Sequence, residues 1–108
     1  MKGHIGEFEE LVLLTIAVLG DEAYGVAVLE DIQQRSGRKI SIGALHSTIT
    51  RLEEKGFLTS FMGEPTQERG GRRKRFFHLT ASAKQALSDM KSLRNELWQL
   101  SNLQLSSQ

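Results

Sequence analysis

Apolar positions along the chain fall into four helical stretches and two short extended ones. From Gly6 to Leu19, Glu7, Glu9 and Glu10 crowd the opening turn, where the helix dipole favours anions. Leu11, Val12, Leu13, Leu14, Ile16, Ala17, Val18 and Leu19 follow, apolar on nearly every side. Such a helix is enclosed by neighbours rather than laid on a surface, and a chain of 108 residues has little core to enclose it. A second copy of the chain is the expected cover.

The next helix is expected from about Ala23 to Ser36, with Asp21 and Glu22 at its mouth and Gly37 as its stop. In the third, Ser41 is a good N-cap, and Ile42, Leu45, Ile49 and Leu52 recur at offsets of three, four and three. Its opposite face carries Gly43, Ser47, Thr50, Arg51 and Glu54, with Ala44 at the edge, before Gly56 closes it. The period then turns strand-like over Phe57 to Met62 and Arg75 to Leu79. Between them the polar stretch from Gly63 to Arg73, with Pro65, Gly70 and Gly71, is too long for a tight turn and reads as a projecting hairpin loop. Thr80 caps a last helix reaching about Leu103, in which Ala86, Met90, Leu93, Leu97 and Leu100 alternate steps of four and three. That rhythm suits a seam between two helices side by side, or the inner stripe of a helix packed on its own domain. The expected division is a body over 1–80, a dimerisation helix over 81–105 and a loose tail over 106–108.

Composition narrows the classes. Hydrophobic residues at 39% and charged residues at 25% suit one ordinary globular domain. The absence of cysteine excludes disulfide scaffolds, thiolate metal sites and thiol catalysis. No run approaches the ~18 apolar residues of a membrane span, and the N-terminus lacks the pattern of an export signal, so the expected location is the cytoplasm, away from membranes. Total charge is only +1, but it is polarised. Residues 1–34 carry one Lys against seven acids, whereas residues 35–108 carry thirteen basic residues against six acids. Five of those cations, Arg69, Arg72, Arg73, Lys74 and Arg75, lie within seven positions. One face is therefore expected to turn toward an anion.

Three helices, a hairpin and a long final helix outline a mainly α fold with a small β-hairpin, a winged helix-turn-helix with a C-terminal dimerisation helix. In such a module the third helix, here 41–55, enters the major groove of duplex DNA, and the hairpin, here 63–75, offers cations to its backbone. Ser47, Thr48, Thr50 and Arg51 have the donors and acceptors for base edges. Enzyme chemistry finds no support: His4, His46 and His78 lack metal-ligand spacing, Gly70-Gly71 opens no phosphate loop, and adjacent Glu53 and Glu54 point apart on a helix. No cofactor or metal is expected. The alternative to DNA is an acidic protein docked on the basic wing.

Three segments, GEFEELVLLTIAVLGDEAYGVAVLEDI, SIGALHSTITRLEEKGFLTS and GEPTQERGGRRKRFFHLTASAKQAL, resemble the phenolic-acid-response (PadR) regulators, in particular their short members. The resemblance runs from about Gly6 to Leu87. It implies a cytoplasmic homodimer on palindromic operator DNA, usually a repressor. Recognition-helix contacts would come from Ser41, Gly43, Ala44, His46, Ser47, Thr48, Thr50 and Arg51, and flanking contacts from Tyr24 and the wing cations. The dimer contact would join the first helix (Leu11, Leu14, Val18) to the last (Met90, Leu93, Leu97, Trp98, Leu100). Members usually carry Tyr where this chain has His46, which either reaches the DNA, with binding then sensitive to pH near ~6.5, or is a tolerated polar substitution. Tyr24 fits the family pattern and is read either as a phosphate contact through its hydroxyl or as a packing residue. Trp98 is read as a wedge at the subunit contact, or as the wall of a pocket for a small aromatic effector, as in some members.

Overall fold

The computed structural model describes residues 4–64 and 73–103. Its elements are α1 (Glu7–Leu19), α2 (Gly25–Ser36), α3 (Ile42–Glu54), β1 (Leu58–Met62), β2 (Arg75–Leu79) and α4 (Ala81–Ser101). The strands pair antiparallel, Leu58 opposite Leu79 and Met62 opposite Arg75. This is the expected winged helix-turn-helix with a C-terminal helix. Val12, Leu13 and Ile16 of α1 lie at the centre of the core, against Val28 and Ile32 of α2 and Leu45, Ile49 and Leu52 of α3. Phe57, Leu58 and Phe77 close it from the hairpin side and Ala83 from α4.

Local chemistry sets the ends of the elements. Ser41 Oγ accepts the Ala44 N–H at 3.0 Å, and Thr80 Oγ1 accepts the Ala83 N–H at 3.2 Å, so each side chain satisfies one otherwise orphaned donor. Gly37 ends α2 at φ 73°, a left-handed conformation nearly free of cost only for glycine. Thr80 also donates to the Gly56 carbonyl at 2.7 Å, tying the start of α4 to the exit of α3.

Two expectations need correction. The second helix starts at Gly25, not Ala23, and Gly20–Glu22 form a separate 3-10 turn. The cause is tertiary: the Ala23 carbonyl accepts the Phe77 N–H at 2.9 Å, and Tyr24 bridges to Phe76, so these two residues extend along β2. Within one chain α1 is covered on one side, with Leu14, Ala17 and Val18 exposed. The last helix ends at Ser101, with Asn102 left-handed at φ 57°.

Glu9 is the one buried acid among the described residues, and it joins α1 to α3. Its carboxylate accepts from the Gly6 N–H at 2.8 Å and from Lys55 Nζ at 2.8 and 3.0 Å. Arg51 Nε stands 3.5 Å away. Lys55 also donates to the His4 carbonyl at 2.7 Å, drawing the N-terminal segment into the same knot. Burial pushes the Glu9 pKa up, but the hydrogen bonds from Lys55, Gly6 and Arg51 and the charge of Lys55 outweigh it, holding the carboxyl below its ordinary 4.5. A carboxyl with a lowered folded pKa gives stability that is present above its unfolded pKa and is lost as pH falls through the folded one. Glu9→Gln should cost about 1–3 kcal/mol at neutral pH, because it leaves Lys55 without its counter-charge. Urea denaturation at neutral pH and below pH 4.5 should find a smaller acid loss in the variant than in the parent; equal losses would assign the acid sensitivity elsewhere.

Candidate nucleic-acid interface

Only one side of α3 is used by the core. Leu45, Thr48, Ile49 and Leu52 are buried, while Gly43, Ala44, His46, Ser47, Thr50 and Arg51 are exposed, as is Ser41 at the cap. The uncovered side is slim and polar, and short side chains there let a helix approach another surface closely. Two residues depart from expectation. Thr48 is 2% exposed and faces the core. It lies three residues after Leu45 and four before Leu52, which puts it on the apolar stripe; its residue type obscured that spacing. Its Oγ1 accepts from Arg51 Nη2 at 3.2 Å. Ile42, expected in the stripe, is exposed on the first turn. It adds an apolar contact to the outer side that the period of the stripe concealed.

Arg51 is half exposed, but its guanidinium leans back toward Glu9 and Thr48. Arg75 is likewise engaged, with Glu53 of α3 and Ser60 of β1. Lys74 Nζ sits 4.1 Å from the centroid of the Tyr24 ring, a cation–π contact. Arg73 is exposed. Arg69 and Arg72 lie outside the described residues, as does most of the predicted loop.

The hairpin is held by an aromatic layer on its outer face. Phe61 stacks on Phe76 at 5.5 Å and 19°, His78 tilts against Phe61 at 4.9 Å, and Tyr24 meets Phe76 edge-on at 5.6 Å. Tyr24 packs on the hairpin: its backbone pairs with β2 and its half-buried ring braces Phe76. A Cβ at Gly63 would stand 2.6 Å from Phe76 Cε1, so a side chain at residue 63 would force this ring to shift.

A second surface lies away from α3. Beyond Met90 every described residue of α4 is exposed, including Leu93, Leu97, Trp98 and Leu100. Arg94 Nη2 holds Glu10 at 2.9 Å, setting α4 against α1. Between them an open groove of about 450 Å³ is lined by Leu14, Leu87, Lys91 and Trp98 among others. Leu11 and Met90 are half-buried beside this apolar surface. Among the described residues no group of His, Asp or Glu could hold a metal ion, and no helix is long and apolar enough to cross a membrane.

The family model described as the transcriptional regulator PadR-like family matches residues 13–89. The fold is similar to a PadR-like transcription factor from Bacteroides fragilis, with 21% identity, TM-score 0.70 and coverage of 88% of this chain and 86% of that one. It is also similar to a PadR family transcription regulator from Clostridium difficile R20291, with 19% identity, TM-score 0.68 and coverage of 88% and 95%. A third similar structure is the Aeropyrum pernix ORC1 protein in complex with DNA, with 21% identity and TM-score 0.61, covering 86% of this chain but 26% of that protein. A search of the curated proteins finds no match.

Exposure on α3 can be tested directly. Thr48→Asp should destabilise the fold by about 3 kcal/mol or more, since it buries a charge without a partner. Ser47→Asp and Thr50→Asp should stay within about 0.5 kcal/mol of the parent in urea denaturation. Comparable losses at all three positions would contradict the orientation of α3.

Proposed function

The chain belongs to the PadR-like family of transcriptional regulators, and from that membership we propose that two copies bind a palindromic operator, most simply as a repressor. The observation that carries this reading is the uncovered face of α3, small and polar over Gly43, Ala44, Ser47 and Thr50. A helix so shaped fits the major groove, where hydroxyls meet base edges and an apolar group such as Ile42 meets a thymine methyl. Ser41 and His46 flank this face and suit backbone or base contact. Arg51 reaches DNA after giving up its long contact to Glu9. Arg69, Arg72, Arg73 and Lys74 of the wing supply the phosphate contacts.

Dimerisation joins the uncovered apolar surfaces. Leu14 and Val18 of α1 and Leu93, Leu97, Trp98 and Leu100 of α4 are 44–73% exposed among the described residues. An isologous contact between two such surfaces buries both at once. It also places two reading helices on one duplex, so that the second half-site binds at high effective concentration. Trp98 is the aromatic wedge of that contact, and a small aromatic effector would enter by stacking on it in the α1–α4 groove.

Titration of duplex DNA at several salt concentrations tests the wing. Replacing Arg72 and Arg73 by Ala should weaken binding to all sequences and flatten the slope of log affinity against log salt by about 0.9 per lost phosphate contact. An unchanged slope would remove the wing from the interface. Leu97→Asp should give a monomer in sedimentation and a large loss of operator affinity. A variant still dimeric at micromolar concentration would overturn the interface.

A further inference from the structure

We propose that Glu53 and Arg75 form a strut that fixes the angle between the wing and α3, which makes Glu53 a positioning residue for DNA binding. This rests on the DNA reading above. Arg75 is the first residue of β2, where the chain re-enters from the wing, and it lies opposite Met62 at the end of β1. Its guanidinium reaches two other elements. Nε donates to Ser60 Oγ of β1 at 3.1 Å. Nη2 donates to Glu53 Oε1 at 3.1 Å and Oε2 at 2.9 Å, in the last turn of α3. Cζ also lies 5.6 Å from the Phe77 ring centroid.

The covalent link between α3 and the hairpin is only Lys55, Gly56 and Phe57. Leu58 at the base and Phe77 at the middle of the ladder anchor the hairpin's inner face in the core, and Ala23 and Tyr24 hold Phe77 and Phe76 of β2, but none of these contacts ties the hairpin to α3 at its far end. Arg75 is bound at that end of the ladder, where resistance to swinging has the longest lever arm. The same contact settles an electrostatic problem. A carboxylate on a helix that approaches phosphates would repel them, and pairing it with Arg75 cancels its charge in place. The cost is one wing cation, because a guanidinium held by Glu53 is not free for phosphate. Both side chains are partly solvated, at 51% and 24% exposure, so the pair adds little to global stability. Its effect lies in orientation.

Glu53→Gln, Arg75→Gln and the exchanged double variant Glu53→Arg/Arg75→Glu separate a strut from a phosphate ligand. Two readouts are needed on the full chain: residual dipolar couplings of α3 and β2 amides without DNA, and titration of a mixed-sequence duplex at two salt concentrations. Each single variant should keep the parent unfolding midpoint, shift the β2 couplings relative to those of α3, and weaken binding about three- to tenfold. The exchange should return both readouts toward the parent. Couplings unaltered in the single variants would overturn the strut. So would an exchange that fails to recover binding while Arg75→Gln lowers the salt slope, which would make Arg75 a phosphate ligand. If the parent binds no duplex while the single variants still shift the couplings, the DNA reading falls and the strut stands as a feature of the fold alone.

Discussion

The buried carboxylate of Glu9 governs where α3 sits. Hydrophobic packing presses α3 onto α1 through Leu45, Ile49 and Leu52, but apolar contact is non-directional and tolerates sliding and rotation. Glu9 supplies the direction. It receives Lys55 at the exit of α3 and the Gly6 N–H at the entry of α1, with Arg51 close by. Breaking one side would leave a charge largely removed from water, so the arrangement is strongly favoured as a unit. The outward face of α3 is therefore set from behind.

The hairpin depends on that placement and repeats its logic at lower burial. One side enters the core through Leu58 and Phe77, and the other carries a stack of rings beginning at Tyr24 and running over Phe76 and Phe61 to His78. The residues that brace the wing lie among those that seemed available for an anion. Tyr24 supports Phe76 while taking the Lys74 ammonium on its face, and Arg75 binds acid on α3. A basic cluster in a sequence thus divides into cations that build a surface and cations that the surface presents.

The far half of the molecule is built on different terms. Glu10 and Arg94 aim α4 along α1, yet the helix buries little beyond its first turns. A 21-residue helix about 30 Å long has no reason to hold Leu93, Leu97 and Trp98 in water unless another surface removes them from it. In the function proposed above, the polar face of α3 and the apolar face of α4 and α1 are complementary provisions, one for a polyanion and one for a second copy.

Element type and order were legible along the chain because period, caps and glycine stops are local. Ser41, Thr80 and Gly37 act within a few residues of where they stand, and the strands over Leu58–Met62 and Arg75–Leu79 follow from a strand-like period on either side of a polar stretch. Most of the outward face of α3 was legible for the same reason, as the complement of the Leu45, Ile49 and Leu52 stripe. Thr48 and Ile42 were misassigned because burial follows helical angle and the reach of neighbouring elements, and residue type reports on both only on average. The start of α2 was displaced by a strand bridge between residues some fifty positions apart, and the pairings of Glu9 with Lys55 and of Glu53 with Arg75 join residues far apart in the chain. Such contacts leave no local mark, since a charge in a sequence carries no sign of its partner. Short-range chemistry chose the elements, and long-range closure of the chain decided which side chains were consumed in holding them and which were left facing out.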